Sequence, residues 1–296
     1  MENMKKLFVL IAASVCLASC TSWGSGGNNS GNTLTQKYVK YIETGDGAQY
    51  TFSYNTMNYI SNVSYIDFMN PGDQFSYDID YNTTTIDIES GSDLWIMRFN
   101  GLGSLDKLYK ATGSGEELLS SFSYFTPANY ITQLSSISSD NNKSNAAINW
   151  ISFYAIGSSR NTVTVEEEGV EVTYSTSITF TYDDYISNIH ANFNFFYFLV
   201  PELLEVSKLD NVVAAAVSII GSRCYYLPTK VTVEKKKITL DGTEPVEKTE
   251  RTYSYDCDDN GYVDAIYSGS GDSKQLLYAI KYFKPSTDDD STETQE

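Results

Sequence analysis

The stretch that most constrains this chain is Tyr253 to Ile266, YSYDCDDNGYVDAI, because its plan occurs five times. Two large apolar residues stand at i and i+2, a polar turn follows, and then two apolar residues stand three apart. The upstream copies are Phe52/Tyr54 with Ile60/Val63, Met97/Phe99 with Leu105/Leu108, and Phe122/Tyr124 with Ile131/Leu134. Phe180/Tyr182 with Ile186/Ile189 precedes the last, Tyr253/Tyr255 with Val263/Ile266. A strand places i and i+2 on one face, so each aromatic pair can cover a common core. Between the halves lie Asn55, Asn100-Gly101, Asp183-Asp184 and Asp258 to Gly261, residues that accept turn conformations; the third copy uses Phe125 to Asn129 with Pro127. The pattern predicts a run of β-hairpins whose aromatic sides share one core.

Other segments continue this plan. Phe75, Tyr77, Ile79 and Tyr81 alternate, Asn82 to Thr84 make a turn, and Ile86 and Ile88 resume the alternation. Val163/Val165 and Val170/Val172 flank an acidic turn with Gly169, and Val231 to Leu240 with Val246 to Tyr255 reads as a hairpin around Asp241-Gly242. Ala146 to Ile156 is apolar without a clear period, so its type stays open. The break in the β pattern is Asn194 to Gly221. There Pro201 suits a helix first turn and Asp210 a cap, before the stripe Val212, Val213, Ala216, Val217 and Ile220. Four charges and a proline interrupt this stretch, which favours a helical plug or lid over a membrane span.

The start of the chain reads as an address. Lys5 and Lys6 precede an apolar run, Leu7 to Leu17, of signal-peptide length. The run closes on Leu17-Ala18-Ser19-Cys20, which resembles the lipobox of bacterial lipoproteins. That resemblance implies lipidation, palmitate included, on Cys20 and a membrane anchor there; a chance cysteine at an ordinary cleavage site is the alternative. Thr21 to Asn32 is a Gly/Ser/Asn-rich tether. No Asp follows Cys20, so an outer-membrane anchor facing the periplasm is expected over the cell surface. Pro285 to Glu296 is acidic, free of apolar residues and expected to be disordered. The intervening residues 35–284 read as a single domain. A formal net charge of −18 argues against nucleic acid as partner, because phosphate binding needs basic patches.

On these motifs the chain resembles the envelope lipoproteins grouped as a domain of unknown function with a porin-like fold. Their repeat is aromatic-x-Tyr-Asp, a short Gly-containing turn, then apolar-x-x-Ile, which Tyr253-Ser254-Tyr255-Asp256 with Gly261 and Val263 to Ile266 matches, as does Phe180 to Ile189. Phe193 to Phe196, a helical stretch and Leu227-Pro228-Thr229-Lys230-Val231 extend the likeness across roughly residues 50 to 284. Copies one and three lack the Gly, and Cys257 is an insertion. The resemblance implies a porin-like β fold and no known catalytic residues. A spanning barrel is not expected, since such a barrel anchors itself and has no use for a lipid.

Candidate chemistry is sparse. Cys224 and Cys257 remain once Cys16 is removed with the leader and Cys20 is acylated, and a turn at Asp241-Gly242 would bring them close in one ladder. A disulfide and two free thiols are both open. Asp256, Asp258, Asn260 and Asp264, with Gly261, have the spacing of a calcium loop, yet position twelve is Tyr267 where a bidentate Glu belongs. An ordinary hairpin turn is the competing reading. His190 stands alone, without a Ser or Cys motif that would make it catalytic.

The sequence therefore predicts an all-β protein of mostly antiparallel hairpins, barrel-like or an open wrapped sheet, with a short helical insert near residues 196–220. It predicts a lipid-anchored, non-catalytic envelope module binding a lipid or other apolar ligand in its lining. A glycan-binding lipoprotein using Trp95 and Trp150 is the alternative, and an acid–base hydrolase the enzyme reading. A lipid carrier requires a large apolar cavity, a glycan binder an exposed aromatic strip, and a hydrolase a carboxylate pair in a cleft.

Overall fold

The computed structural model describes residues 37–101, 103–125, 130–137, 142–152, 155–183, 186–188, 192–217 and 224–284. The first half supplies β1 (Tyr38–Thr44), β2 (Ala48–Tyr54), β3 (Ile60–Asp67), β4 (Gln74–Tyr81), β5 (Thr85–Ser90), β6 (Asp93–Phe99), β7 (Leu105–Thr112) and β8 (Gly115–Phe125). The second supplies β9 (Tyr130–Ile137), β10 (Lys143–Ser152), β11 (Ala155–Glu167), β12 (Val170–Thr181), β13 (Lys230–Thr239), β14 (Gly242–Cys257), β15 (Val263–Ser268) and β16 (Gln275–Phe283). Each strand pairs antiparallel with its chain neighbours, and β1 pairs with β16, so the wall is a closed barrel of 16 strands. The open wrapped sheet is thereby excluded. Ala146 to Ile156, without a period in sequence, belongs to β10 and β11.

The three-residue spacing in the repeat has a structural cause. Tyr54 pairs with Ile60 and Ser53 with Asn62, so Ser61 is an extra residue bulged out of the ladder. Asp106, Thr132 and Asp264 occupy the same place in β7, β9 and β15. A bulge shifts the alternation by one, which lets Ile60 and Val63, Leu105 and Leu108, Ile131 and Leu134, and Val263 and Ile266 all face inward and be buried. β1 and β11 carry the same device at Lys40 and Gly157, between Val39 and Ile42 and between Ile156 and Ser159.

The aromatic half of the motif completes these bulges. The carbonyl that opens a bulge accepts from an inward aromatic of the following strand: Tyr54 Oη to Val39 at 2.5 Å, Tyr124 Oη to Leu105 at 2.7 Å, and Trp150 Nε1 to Ile131 at 2.9 Å. Tyr182 Oη reaches Ile156 at 2.8 Å and Tyr282 Oη reaches Val263 at 2.7 Å. Tyr255 Oη makes the equivalent bond to Pro228, just before β13, at 2.6 Å. These six bonds ring one end of the barrel, the proximal end, where β1 begins and β16 finishes. Burial pushes the phenols of Tyr54, Tyr124, Tyr182 and Tyr282 above the ordinary range, so they remain donors. Tyr255→Phe should lower stability by about 1–2 kcal/mol, because it orphans a carbonyl in an apolar layer. Urea unfolding checks this; an unchanged midpoint would show that the bond contributes nothing.

The inner and outer faces differ sharply. On β12, Val172, Ile178 and Phe180 are buried, while Thr179 and Thr181 are exposed and Arg160 of β11 bonds Ser175 on the outer face at 3.1 Å. Outside β13 and β14, Lys230 pairs with Glu250 at 2.9 Å and Lys248 with Glu234 at 3.1 Å. A transmembrane barrel presents an apolar band outward; these strands present Thr, Ser, Lys and Glu.

The inside is filled by the insert. β12 and β13 pair directly, from Thr173 with Ile238 to Thr181 with Lys230, and the chain between them turns into the lumen. The fourth repeat is thus no hairpin, a correction to the sequence reading: Ser187 of its second half bridges Tyr226 instead of a following wall strand. Helix α1 (Phe195–Leu199), the 3-10 turns Pro201–Leu203 and Glu205–Ser207, and helix α2 (Asn211–Val217) form the plug. Every residue of α1 is buried, the expected composition for a helix enclosed on all sides. Asn194 caps α1, accepting from Phe196 N at 3.2 Å and from Asn188 Nδ2 at 2.9 Å. Asn192 ties the plug to the wall through Val39 N and Tyr54 Oη, at 3.0 and 2.9 Å. Among the described residues no helix is long and apolar enough to cross a membrane.

Candidate functional site

The plug stops short of the other barrel end, the distal mouth, and leaves a cleft between its tip and the wall. The turn from Ser207 to Asp210 makes the tip. Lys208 there has φ of 61°, a left-handed conformation uncommon for a residue with a Cβ. Leu209 and Asp210 follow, and Asp210 Oδ1 caps α2 by accepting from Val212 N at 2.9 Å. Facing them on the wall are Tyr77 of β4, Ile88 of β5 and Trp95 of β6. These six residues, with Val213, line a cavity of about 310 Å³ that opens to the mouth.

The polar groups converge on the aromatic ones. Tyr77 Oη donates to Asp210 Oδ2 at 3.1 Å. Burial and the Asp210 carboxylate hold the Tyr77 phenol well above its usual range, so it is a donor throughout the physiological interval. Lys110 Nζ lies 5.5 Å from the Trp95 ring centroid and 2.9 Å from Asp93 Oδ1, so the indole already carries a cation near its face. The cleft therefore offers an indole, a phenol, an isoleucine, a carboxylate and an ammonium within one small volume. Such a mixture suits a ligand with apolar faces and a hydroxylated edge.

Across the mouth the plug is clamped by charge. Glu202 pairs with Arg251 of β14 at 2.8 Å, and the Glu202 carbonyl accepts from Asn161 Nδ2 of β11 at 2.7 Å. Farther out, Lys237 reaches Glu167 at 2.7 Å while Tyr174 donates to the same carboxylate at 2.6 Å. The Lys237 bond, followed by the Tyr174 bond, keeps the Glu167 carboxyl below the usual range.

Two crystal structures are similar to this chain, and both are described as porin-like proteins. The one from Bacteroides uniformis ATCC 8492 has a TM-score of 0.55 at 16% identity, covering 82% of this chain and 100% of that chain. The one from Bacteroides vulgatus ATCC 8482 has a TM-score of 0.48 at 14% identity, covering 83% and 98%. The fold is porin-like. At such identity the first likeness extends to the fold alone. No family model and no curated protein matches the sequence.

Trp95 apart, the residues singled out in sequence fall elsewhere. Asp256 binds Lys274 Nζ at 2.7 Å and Tyr267 Oη at 2.8 Å, whereas Asp258 pairs with Lys37 and accepts from the backbone of Asn260 and Tyr262 at 2.8 and 2.9 Å. Asp264 is the bulge residue of β15. The structure does not gather these carboxylates: among the described residues no three His, Cys, Asp or Glu side chains are placed to hold a metal. The β13–β14 turn is Leu240-Asp241, one residue earlier than expected, with Thr239 opposite Gly242, and the ladder ends at Lys230 opposite Thr252. Cys224 therefore lies outside that ladder. No disulfide joins the two: Cys224 is buried beside Tyr182, where its thiol donates to the Tyr226 carbonyl at 3.4 Å, and Cys257 is exposed. Cys20, His190 and the acidic tail lie outside the described residues.

Burial pushes the Cys224 thiol up to about 11, and burial and then Asp264 also raise Cys257. Iodoacetamide at pH 8 should label the Cys257 peptide slowly and spare the Cys224 peptide until the protein is denatured. Equal labelling of both in the native protein would contradict the buried placement.

Trp95 was named in sequence as a glycan contact together with Trp150, whereas Tyr77 was visible only as a member of an alternating strand; Trp150 instead donates to the Ile131 carbonyl at 2.9 Å, in the ring at the proximal end. What singles out Trp95 and Tyr77 is the plug tip opposite, and that pairing spans strands far apart in the chain.

Proposed function

We propose that this protein is a lipid-anchored envelope module that binds carbohydrate, without turning it over, in the cleft at its distal mouth. The observation that carries the reading is the convergence of Trp95, Tyr77, Asp210 and Lys208 on one open cavity at the mouth. An indole and a phenol stack on the C–H faces of a sugar, and the carboxylate and ammonium bond its hydroxyls. Among the described residues, buried plug side chains such as Phe193 and Phe196 take up lumen volume that a lipid carrier would leave open. Among the described residues that line the cleft, Asp210 is the one carboxylate, where a glycoside hydrolase uses two. The polar outer wall fits a domain surrounded by water, held to a membrane through Cys20. A tether entering at Tyr38 joins the proximal end, so the cleft points away from that membrane.

The test is a glycan array with the intact chain and with Trp95→Ala, followed by calorimetry on the best monosaccharide. Binding that Trp95→Ala weakens about tenfold or more is the expected outcome, as for an aromatic anchor in a pocket. Absence of any glycan signal, together with a lipid-mass adduct in native mass spectrometry, would replace this reading with the carrier.

A further inference from the structure

The aromatic lining does not stop at the cleft. Tyr50 of β2, Tyr65 of β3 and Phe75 of β4 stand directly opposite one another in successive ladders, and Phe75 adjoins Tyr77 on its own strand. Ring centroids are separated by 4.8 Å from Tyr50 to Tyr65, 5.0 Å from Tyr65 to Phe75, 5.4 Å from Phe75 to Tyr77 and 6.2 Å from Tyr77 to Trp95. All five are half-buried, so the row is accessible along the mouth. Phe198 of the plug closes its lower side, 5.3 Å from Tyr50. At the Tyr65 end the neighbouring charges are carboxylates. Asp67 lies two residues beyond Tyr65 on β3, opposite Ala48 of β2, and its amide donates to the Asp73 carbonyl at 3.1 Å, while Asp46 stands in the turn between β1 and β2. At the Trp95 end Lys110 and Lys208 stand beside the carboxylates of Asp93 and Asp210.

Building on the cleft reading, we infer that the site continues as a groove along this row and takes a neutral oligosaccharide chain, with Trp95 holding one residue and Tyr65 a residue farther along. Each ring-to-ring step is comparable with one pyranose and its linkage, so successive sugars meet successive side chains. The aromatic edges and faces replace water along the apolar side of the chain, a contact that needs no fixed hydrogen-bond geometry and tolerates variation among sugars. Charge decides which chains are admitted. Asp46, Asp67 and Asp73 repel uronic or sulfated residues at the Tyr65 end, while the same carboxylates accept from the hydroxyls of a neutral chain. The groove thus discriminates by length through its rings and by charge through its acidic rim.

The probes are β-1,4-glucose, α-1,4-glucose and β-1,4-N-acetylglucosamine ladders of one to six residues, with an oligogalacturonate ladder as the acidic counterpart. For the wild type, affinity on at least one neutral ladder should rise about tenfold or more between one residue and four, then level off. Tyr65→Ala should remove that rise and leave the monosaccharide affinity unchanged, whereas Trp95→Ala should weaken every length. Asp73→Lys, on an exposed turn where the side chain has no packing role, should admit the oligogalacturonates that the wild type excludes. Thermal melts would first establish that each variant is folded. Affinity independent of chain length, or a rise that survives Tyr65→Ala, would overturn the groove while leaving a single-sugar cleft in place. Failure of all neutral ladders and monosaccharides would overturn both readings, and tight wild-type binding of oligogalacturonate would overturn the charge selection.

Discussion

Phe196→Ala should destabilise the protein by about 3–5 kcal/mol, the range for removing a fully buried aromatic side chain. Phe196 has 0% exposure, sits 5.2 Å from Phe180 of the wall and 6.2 Å from Tyr197, and lies in a helix with no solvent-facing side. Nothing nearby can collapse into the space, because the wall is held by its ladders and α1 is capped at Asn194. A loss of this size is a large share of the stability of an ordinary domain. Equilibrium urea unfolding, followed by near-ultraviolet circular dichroism, gives the value. If the loss were below about 1 kcal/mol, the insert would contribute little to the folded state and the lumen would not be a true core.

Asn194→Ala is the second large effect, expected at about 2–4 kcal/mol. Asn194 is 2% exposed, and its Oδ1 accepts from both Phe196 N and Asn188 Nδ2. Loss of the cap removes about 1 kcal/mol, and the buried Asn188 amide, which keeps the Cys224 carbonyl at 3.2 Å but loses its second acceptor, adds about 1–3 kcal/mol. Asn145→Ala on the exposed face of β10 is the control and should fall within about 0.5 kcal/mol of wild type. Comparable losses at the two positions would mean that the plug is not fastened through its Asn residues.

The hairpin repeats were legible because strand alternation and turn chemistry are local. Phe52 and Tyr54 declare a face, and Asn55 declares a turn. The insert was legible for the same reason: Asp210 caps α2 as its sequence position suggests, although Pro201 opens only a 3-10 turn and α1 lies before it. The i, i+3 spacing was visible as a pattern without its cause, because a bulge is defined against a partner strand and a single sequence has none. The hydroxyl bonds of Tyr54, Tyr124 and Tyr282 were hidden likewise. Their acceptors are backbone carbonyls, which every residue has. Asp258 looked like a calcium ligand because spacing cannot show that Lys37, remote in sequence, would arrive beside it. The cleft was the least legible part. Its chemistry depends on Lys208 taking a left-handed turn and on Asp210 meeting Tyr77, neither of which a local pattern records.

The seam between β1 and β16 has a consequence for how the protein comes to be. Val39 pairs with Tyr282 and Thr44 with Tyr278, so the last strand made is the partner of the first. Until β16 is in place, β1 and β15 each present a row of unpaired amides and carbonyls to any chain nearby. Contacts of such sequence separation form slowly, because a long loop must close before they repay its entropy. The nascent or translocated chain is therefore exposed to misassembly for its whole synthesis, and truncation of the final nine residues of the wall should yield aggregates instead of a smaller barrel.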